Sequence, residues 1–203
     1  MSTVAPNRPA APPSGLRPYR LNVRQFEAMI GAGLFEDGPR VELIHGRLIE
    51  RMTKHEPHSF VVGSLCDLVR ALVVPGGFVR EEKPLEIGPD SRPEPDVSVV
   101  RGERGDYRQQ IPPGTETALV IEVADSTYAK DHGRMLALYA SAIIPVYWIV
   151  RLPERKVEVY SGPTGSGRSA SYAECATFDD AAEVPVVIDG VERGRLAVRS
   201  FLP

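Results

Sequence analysis

Glu122 interrupts the apolar run Ala118-Leu-Val-Ile-Glu-Val-Ala124, and Asp96 follows a proline at the entrance to a second run, Val97-Ser-Val-Val100. The first run has the β-branched and aliphatic composition of a core strand. An ionised carboxylate there is costly unless a cation or hydrogen-bond donors meet it. Hairpin pairing of the two runs would bring both acids to one edge of a sheet. Two such carboxylates suit a hard divalent cation, which takes oxygen ligands and promotes hydrolysis. Blander readings stand beside this one. Asp after Pro also caps turns, and a buried ion pair with an arginine such as Arg134 would equally satisfy Glu122.

The chain has room for one substantial core. At 203 residues and 42% hydrophobic, a single domain is expected. The net charge of −3 and pI near 5.9 give no overall basic character, so contact with nucleic acid requires a local Lys/Arg patch. Cys66 and Cys175 match no metal or redox spacing, and neither a signal-peptide pattern nor a membrane-length apolar run is visible, so a reducing, bacterial-type cytoplasm is the expected setting. Residues 1–18, rich in Pro, Ala and Ser, bury too little to fold and read as a disordered arm before a domain over 19–203.

The elements that must position the acids follow from periodicity. Phe26, Met29, Ile30 and Leu34 recur at helical spacing over 22–35, with Gly33 as a stop. The stretch 41–50 reads as a hairpin hinged at His45-Gly46. From Pro57, the residues Val61, Leu65, Leu68 and Leu72 mark a longer helix ended by Pro75-Gly76-Gly77. Strands are predicted over 78–87, 95–100, 118–123 and 144–150, the last paired with 156–160. Asp131 is expected to cap a helix carrying Met135, Leu138 and Tyr139. The span 161–171 reads as a loop, and 184–188 and 196–198 as short closing strands. This order predicts an α/β fold, a mixed sheet with helices against it.

In succession, Val41-Glu-Leu-Ile-His-Gly46, Met52 followed by His58, Pro93-Glu-Pro-Asp96, Leu119-Val-Ile-Glu-Val-Ala-Asp-Ser-Thr127, Asp131 through Tyr139, and Ile144-Pro-Val-Tyr-Trp-Ile-Val150 resemble the Uma-type family of putative restriction endonucleases. That family belongs to the PD-(D/E)xK nuclease superfamily. The resemblance covers most of the chain and implies a restriction-endonuclease-like mixed β-sheet flanked by helices. It also implies hydrolysis of DNA phosphodiester bonds with Mg2+, for which Mn2+ would substitute, in a homodimer. By the same resemblance Asp96 and Glu122 match the two metal-binding acids, and Glu42 matches an earlier acid that completes the shell or orients a ligand water. The alternative is a catalytically silent relative, a nucleic-acid-binding or assembly module.

The superfamily's lysine two residues after the second acid is absent, since Ala124 stands there. In this family the lysine is displaced onto the following helix, four residues after the aspartate and four before the tyrosine. Here that position is Met135, a thioether that cannot donate a charged hydrogen bond. Lys130 and Arg134 are the candidate substitutes, and Lys83 is a third source of positive charge. Arg134 lies about 100° around a helix from position 135. His55 and His58 lack a third well-spaced ligand and read as cap or loop residues rather than as a zinc site. Asp125 is an outside candidate for an outer metal contact.

Overall fold

The computed structural model describes residues 16–51 and 55–203. Most of the Pro-rich arm, and Met52, lie outside the described residues. Its centre is a six-stranded sheet in the order β3-β4-β5-β6-β7-β8, built from Gly77–Glu81, Val97–Arg101, Thr117–Ala124, Val146–Arg151, Lys156–Thr164 and Ser171–Phe178. All neighbours are antiparallel except β5 and β6. A parallel pair needs a crossover connection. Here it is the helical run α3 (Tyr128–Lys130), a π-turn (Asp131–Met135) and α4 (Leu136–Ser141). The expected mixed sheet flanked by helices is therefore the fold observed.

β5 is buried at all eight positions because both faces of the sheet are covered. On one face, Leu119, Ile121 and Val123 pack with α2 (Glu56–Arg70) and with a separate hairpin of β9 (Glu183–Ile188) and β10 (Val191–Ala197). On the other, Val120 and Ala124 pack with Met135, Leu138 and Tyr139. Strand alternation puts Glu122 on this second face.

Two smaller elements complete the frame. α1 (Val23–Gly31) starts at a capping box in which Asn22 accepts from the Gln25 N–H at 2.8 Å while the Gln25 side chain accepts from the Asn22 N–H at 3.0 Å. The hairpin β1 (Val41–Ile44) and β2 (Arg47–Glu50) turns at His45 and Gly46, whose φ values of 50° and 71° are the positive pair that a two-residue hairpin turn requires. Gly46 has a second constraint. A Cβ there would lie 2.8 Å from the Arg20 Cβ and 2.9 Å from the Leu21 carbonyl oxygen.

Several expectations need correction. The first helix ends at Gly31 and gives way to turns, with Gly33 at φ 74°. The strand expected over 78–87 stops at Glu81, where Glu82 takes φ 48° and Pro84, lacking an N–H, follows. The loop expected over 161–171 shrinks to 165–170, because β7 continues to Thr164 and β8 begins at Ser171. β8 was invisible to pattern because it is an edge strand with a single buried residue, Tyr172. Asp131 is not a cap. The helical run starts at Tyr128, so Asp131 lies one turn inside it and is 1% exposed.

Candidate functional site

Pairing of β4 with β5 places Val97 opposite Ile121 and Ser98 opposite Val120. Continued by one position, the same register sets Asp96 opposite Glu122. The two carboxylates open onto a cavity of about 110 Å³ whose lining includes Glu42, Arg51, His58, Glu94, Asp96, Glu122, Thr127, Lys130 and Asp131. Its walls come from β1 and the residue after β2, the start of α2, the entrance to β4, the end of β5, and the π-turn. Glu42, expected to complete the metal shell or orient a ligand water, is 2% exposed, and Asp96 and Glu122 are 4% and 7% exposed.

Each acid is held by named donors. Asp96 Oδ2 accepts the Val123 N–H at 2.7 Å and lies 3.2 Å from His58 Nε2. Glu122 Oε1 accepts the Tyr139 hydroxyl at 2.6 Å. Glu42 lies 3.4 Å from Arg51 Nε and 3.5 Å from Lys130 Nζ, and it accepts the Glu94 N–H at 3.2 Å. Arg51 also pairs with the Glu94 carboxylate and, at 3.2 Å, with the Glu94 carbonyl. Asp131 Oδ2 accepts from the Thr127 hydroxyl at 2.6 Å. The buried ion pair imagined between Glu122 and Arg134 is absent, and Tyr139 takes that place.

The electrostatics record crowding. Burial, then the negative charges of Asp96 and Asp131, push the Glu122 carboxyl well above its ordinary range, and Lys130 only partly offsets them. Asp131 rises to about 6, chiefly through burial, against the opposing hydrogen bond from Thr127 and the charge of Lys130. Burial pulls Lys130 down, yet Glu122, Glu42 and Asp131 outweigh it and hold its ammonium charged. Burial also opposes the charge of Arg51, which Glu42, Glu94, Glu122 and Asp96 together restore. Tyr139 is raised far up by burial and by Glu122, so it stays protonated and keeps donating.

The structure brings Glu42, Asp96, Glu122 and Lys130 to one pocket, with Asp125 at its rim. It does not bring Arg134 there. Arg134 is exposed and faces a different cavity, because one residue of helical rotation separates it from the buried face of Met135. Lys83 lies in a third cavity with Arg80 and Arg104. Met135 is fully buried among Ile44, Leu85 and Tyr147, on the side of the helical run that also carries Asp131 and Tyr139.

Sequence reasoning missed Asp131, Tyr139, Arg51 and Glu94, and it left His58 without a site role. For Asp131 and Tyr139 a signal existed, since a polar residue at the spacing of a buried stripe is a site candidate. The π-turn that carries Asp131 is itself a type of distortion often found at functional sites.

The donor set fits a hard divalent cation by chemistry: several carboxylates share one small buried cavity, and the charges of its neighbours add to burial in raising the proton affinity of Glu122. Among the described residues, no three His, Cys, Asp or Glu side chains are already arranged as a metal cage. Protein donors occupy the carboxylates instead.

Comparison with known families matches residues 23–199 to the family model described as "Uma2: Putative restriction endonuclease". Among solved structures, the crystal structure of a putative nuclease belonging to DUF820 from Anabaena variabilis aligns over 80% of this chain and 89% of that chain. It does so at 19% identity and a TM-score of 0.58, a likeness of fold. No curated protein matches.

Proposed function

The chain belongs to the Uma2 family of putative restriction endonucleases, and on that premise we propose that it is a divalent-metal-dependent endonuclease hydrolysing DNA phosphodiester bonds. The observation that carries the reading is the convergence of Glu42, Asp96, Glu122 and Asp131 with Lys130 in one buried cavity.

Asp96 and Glu122 would hold the cation, Mg2+ or Mn2+, with Glu42 completing its shell. A bound divalent ion supplies positive charge for the phosphate oxygens and makes a water more acidic. The remaining work falls to the chain. The Val123 N–H and His58 orient Asp96, and the Tyr139 hydroxyl orients Glu122. Lys130 supplies the cation that Met135 does not. Its ammonium is tethered to Glu42 and electrostatically coupled to Glu122, where it stabilises negative charge developing on the phosphate. The domain proposed for this work spans 19–203, and it acts in the cytoplasm as a homodimer.

Supercoiled plasmid incubated with Mg2+ or Mn2+ is expected to be cut by wild type and not by Asp96→Asn or Glu122→Gln. Lys130→Met is expected to slow cutting by about 100-fold while Mn2+ binding persists. If folded wild type and Met135→Lys both leave DNA intact under either metal, the silent-module reading replaces this one.

A further inference from the structure

Four arginines from four distant parts of the chain, Arg20, Arg47, Arg134 and Arg168, line a second cavity of about 280 Å³ together with His45. Arg47 opens β2, Arg134 is in the π-turn, Arg168 is in the β7–β8 loop, and Arg20 precedes α1. Among the described residues, no carboxylate lines this cavity. The basic cavity beside β3 differs, because Glu81 and Glu82 stand among its cations.

Arg20 is anchored, donating to the His45 carbonyl at 2.9 Å. Arg47, Arg134 and Arg168 are exposed, and among the described residues none of them makes an ion pair or a side-chain hydrogen bond. Their mutual repulsion acts on the more buried members, Arg20 and His45. Burial first, then Arg47 and Arg168, lower the proton affinity of Arg20. His45 is lowered by burial and by Arg168, Arg134 and Arg20, against the pull of Asp90. Asp90 offsets this only in part at both groups, so a chain with net charge −3 has gathered an excess of positive charge at one point. Guanidinium forks suit phosphate oxygens.

The cavity adjoins the acid pocket through shared elements. The hairpin that carries Glu42 carries Arg47, and Lys130 and Arg134 are four residues apart, about 6 Å of helix rise. We propose that this arginine pocket binds backbone phosphates of the DNA strand flanking the scissile phosphate. The inference rests on the nuclease reading for the identity of its ligand. It supplies the local basic patch that the overall charge of the chain lacks.

The test is equilibrium binding of a fluorescent DNA duplex to the full chain in EDTA, over a range of salt concentrations. The pocket variant is Arg47→Ala/Arg134→Ala/Arg168→Ala. The charge-matched control is Arg24→Ala/Lys156→Ala/Arg199→Ala, at exposed positions that line no part of the cavity. Thermal melts establish that both are folded.

The pocket variant is expected to bind at least about tenfold more weakly, and its log–log salt slope to fall by about 2 to 3, near 0.9 per lost phosphate contact. The control is expected to retain a wild-type slope. Equal losses in the two variants, or no binding by wild type, would overturn the proposal. So would arginine-dependent binding of inorganic phosphate without binding of DNA, which would make the pocket a small-anion site. Failure of the nuclease reading is separable, because it leaves arginine-dependent DNA binding in EDTA without metal-dependent cutting. Failure of this inference alone leaves cutting intact and the pocket variant binding like wild type.

Discussion

The acid pocket and the arginine pocket share two supports, the β1–β2 hairpin and the helical run between β5 and β6, yet they treat charge in opposite ways. In the first, carboxylates are buried and each is met from within: Asp96 by the Val123 N–H, Glu122 by Tyr139, Glu42 by Arg51 and Lys130, Asp131 by Thr127. In the second, three guanidinium groups stand at the surface, and among the described residues none of them has an ion-pair partner. Burial explains the difference. An uncompensated charge is prohibitive inside the protein and cheap in water, so only the exposed pocket can leave its charge for a ligand to answer.

The contrast breaks most visibly at the acids. Asp96→Asn or Glu122→Gln is expected to remove calorimetric Mn2+ binding and to reduce plasmid cutting by more than about 100-fold. Duplex affinity in EDTA should be unchanged or higher. Mn2+ binding equal to wild type in both variants would remove the basis for a metal centre.

Next in size is stability. Arg51→Ala strips Glu42 and Glu94 of a shared, nearly buried cation, and breaking such a pair is expected to cost about 3 kcal/mol, seen as a lower urea midpoint. Arg134→Ala, exposed and unpartnered, should move that midpoint by under about 0.5 kcal/mol.

A third test uses pH. Asp131 titrates at about 6 in the folded chain against an ordinary 3.8, so the folded state holds this proton more tightly. Its stabilising contribution is present below the unfolded value and is lost as pH rises from about 4 to about 6, and Glu122 acts in the same direction. Stability of wild type relative to Asp131→Asn should therefore fall across that window, by at most about 3 kcal/mol. Mn2+ affinity should rise over the same interval, as the carboxyls give up their protons. A difference that stays flat with pH would show that Asp131 is not held in this environment.

A smaller loss than at Arg51 is expected at the hairpin tip. Gly46→Ala forces a Cβ against Arg20 and Leu21 at a positive φ, costing about 1–2 kcal/mol. Because Gly46 seats Arg20 beside His45, the salt slope for DNA should fall by about 1 while Mn2+ binding is retained. Parallel loss of both would mean that the two pockets are one unit.

Much of this protein is local and therefore readable from residues alone. Short continuous runs of β-branched and aliphatic residues announce β4, β5 and β6, the His45-Gly46 pair announces the hairpin, and an acid within Ala118–Ala124 announces itself by its cost. The family membership, and with it the mixed α/β fold, rests on that same linear succession of motifs. Edge strand β8 had no pattern to read, because only one of its residues needs burial.

What only the tertiary structure decided is who meets whom. A π-turn and a helix start at Tyr128 carry Asp131 from an expected cap into the acid pocket. One residue of helical rotation turns Arg134 away from that pocket toward Arg20, Arg47 and Arg168. Arg51 meets Glu94 across 43 residues of chain, His58 meets Asp96 across 38, and Tyr139 meets Glu122 across 17. Such pairings depend on the packing of separate elements and on which face of a helix is buried. Residue type and spacing limit these outcomes, but long-range burial selects among them.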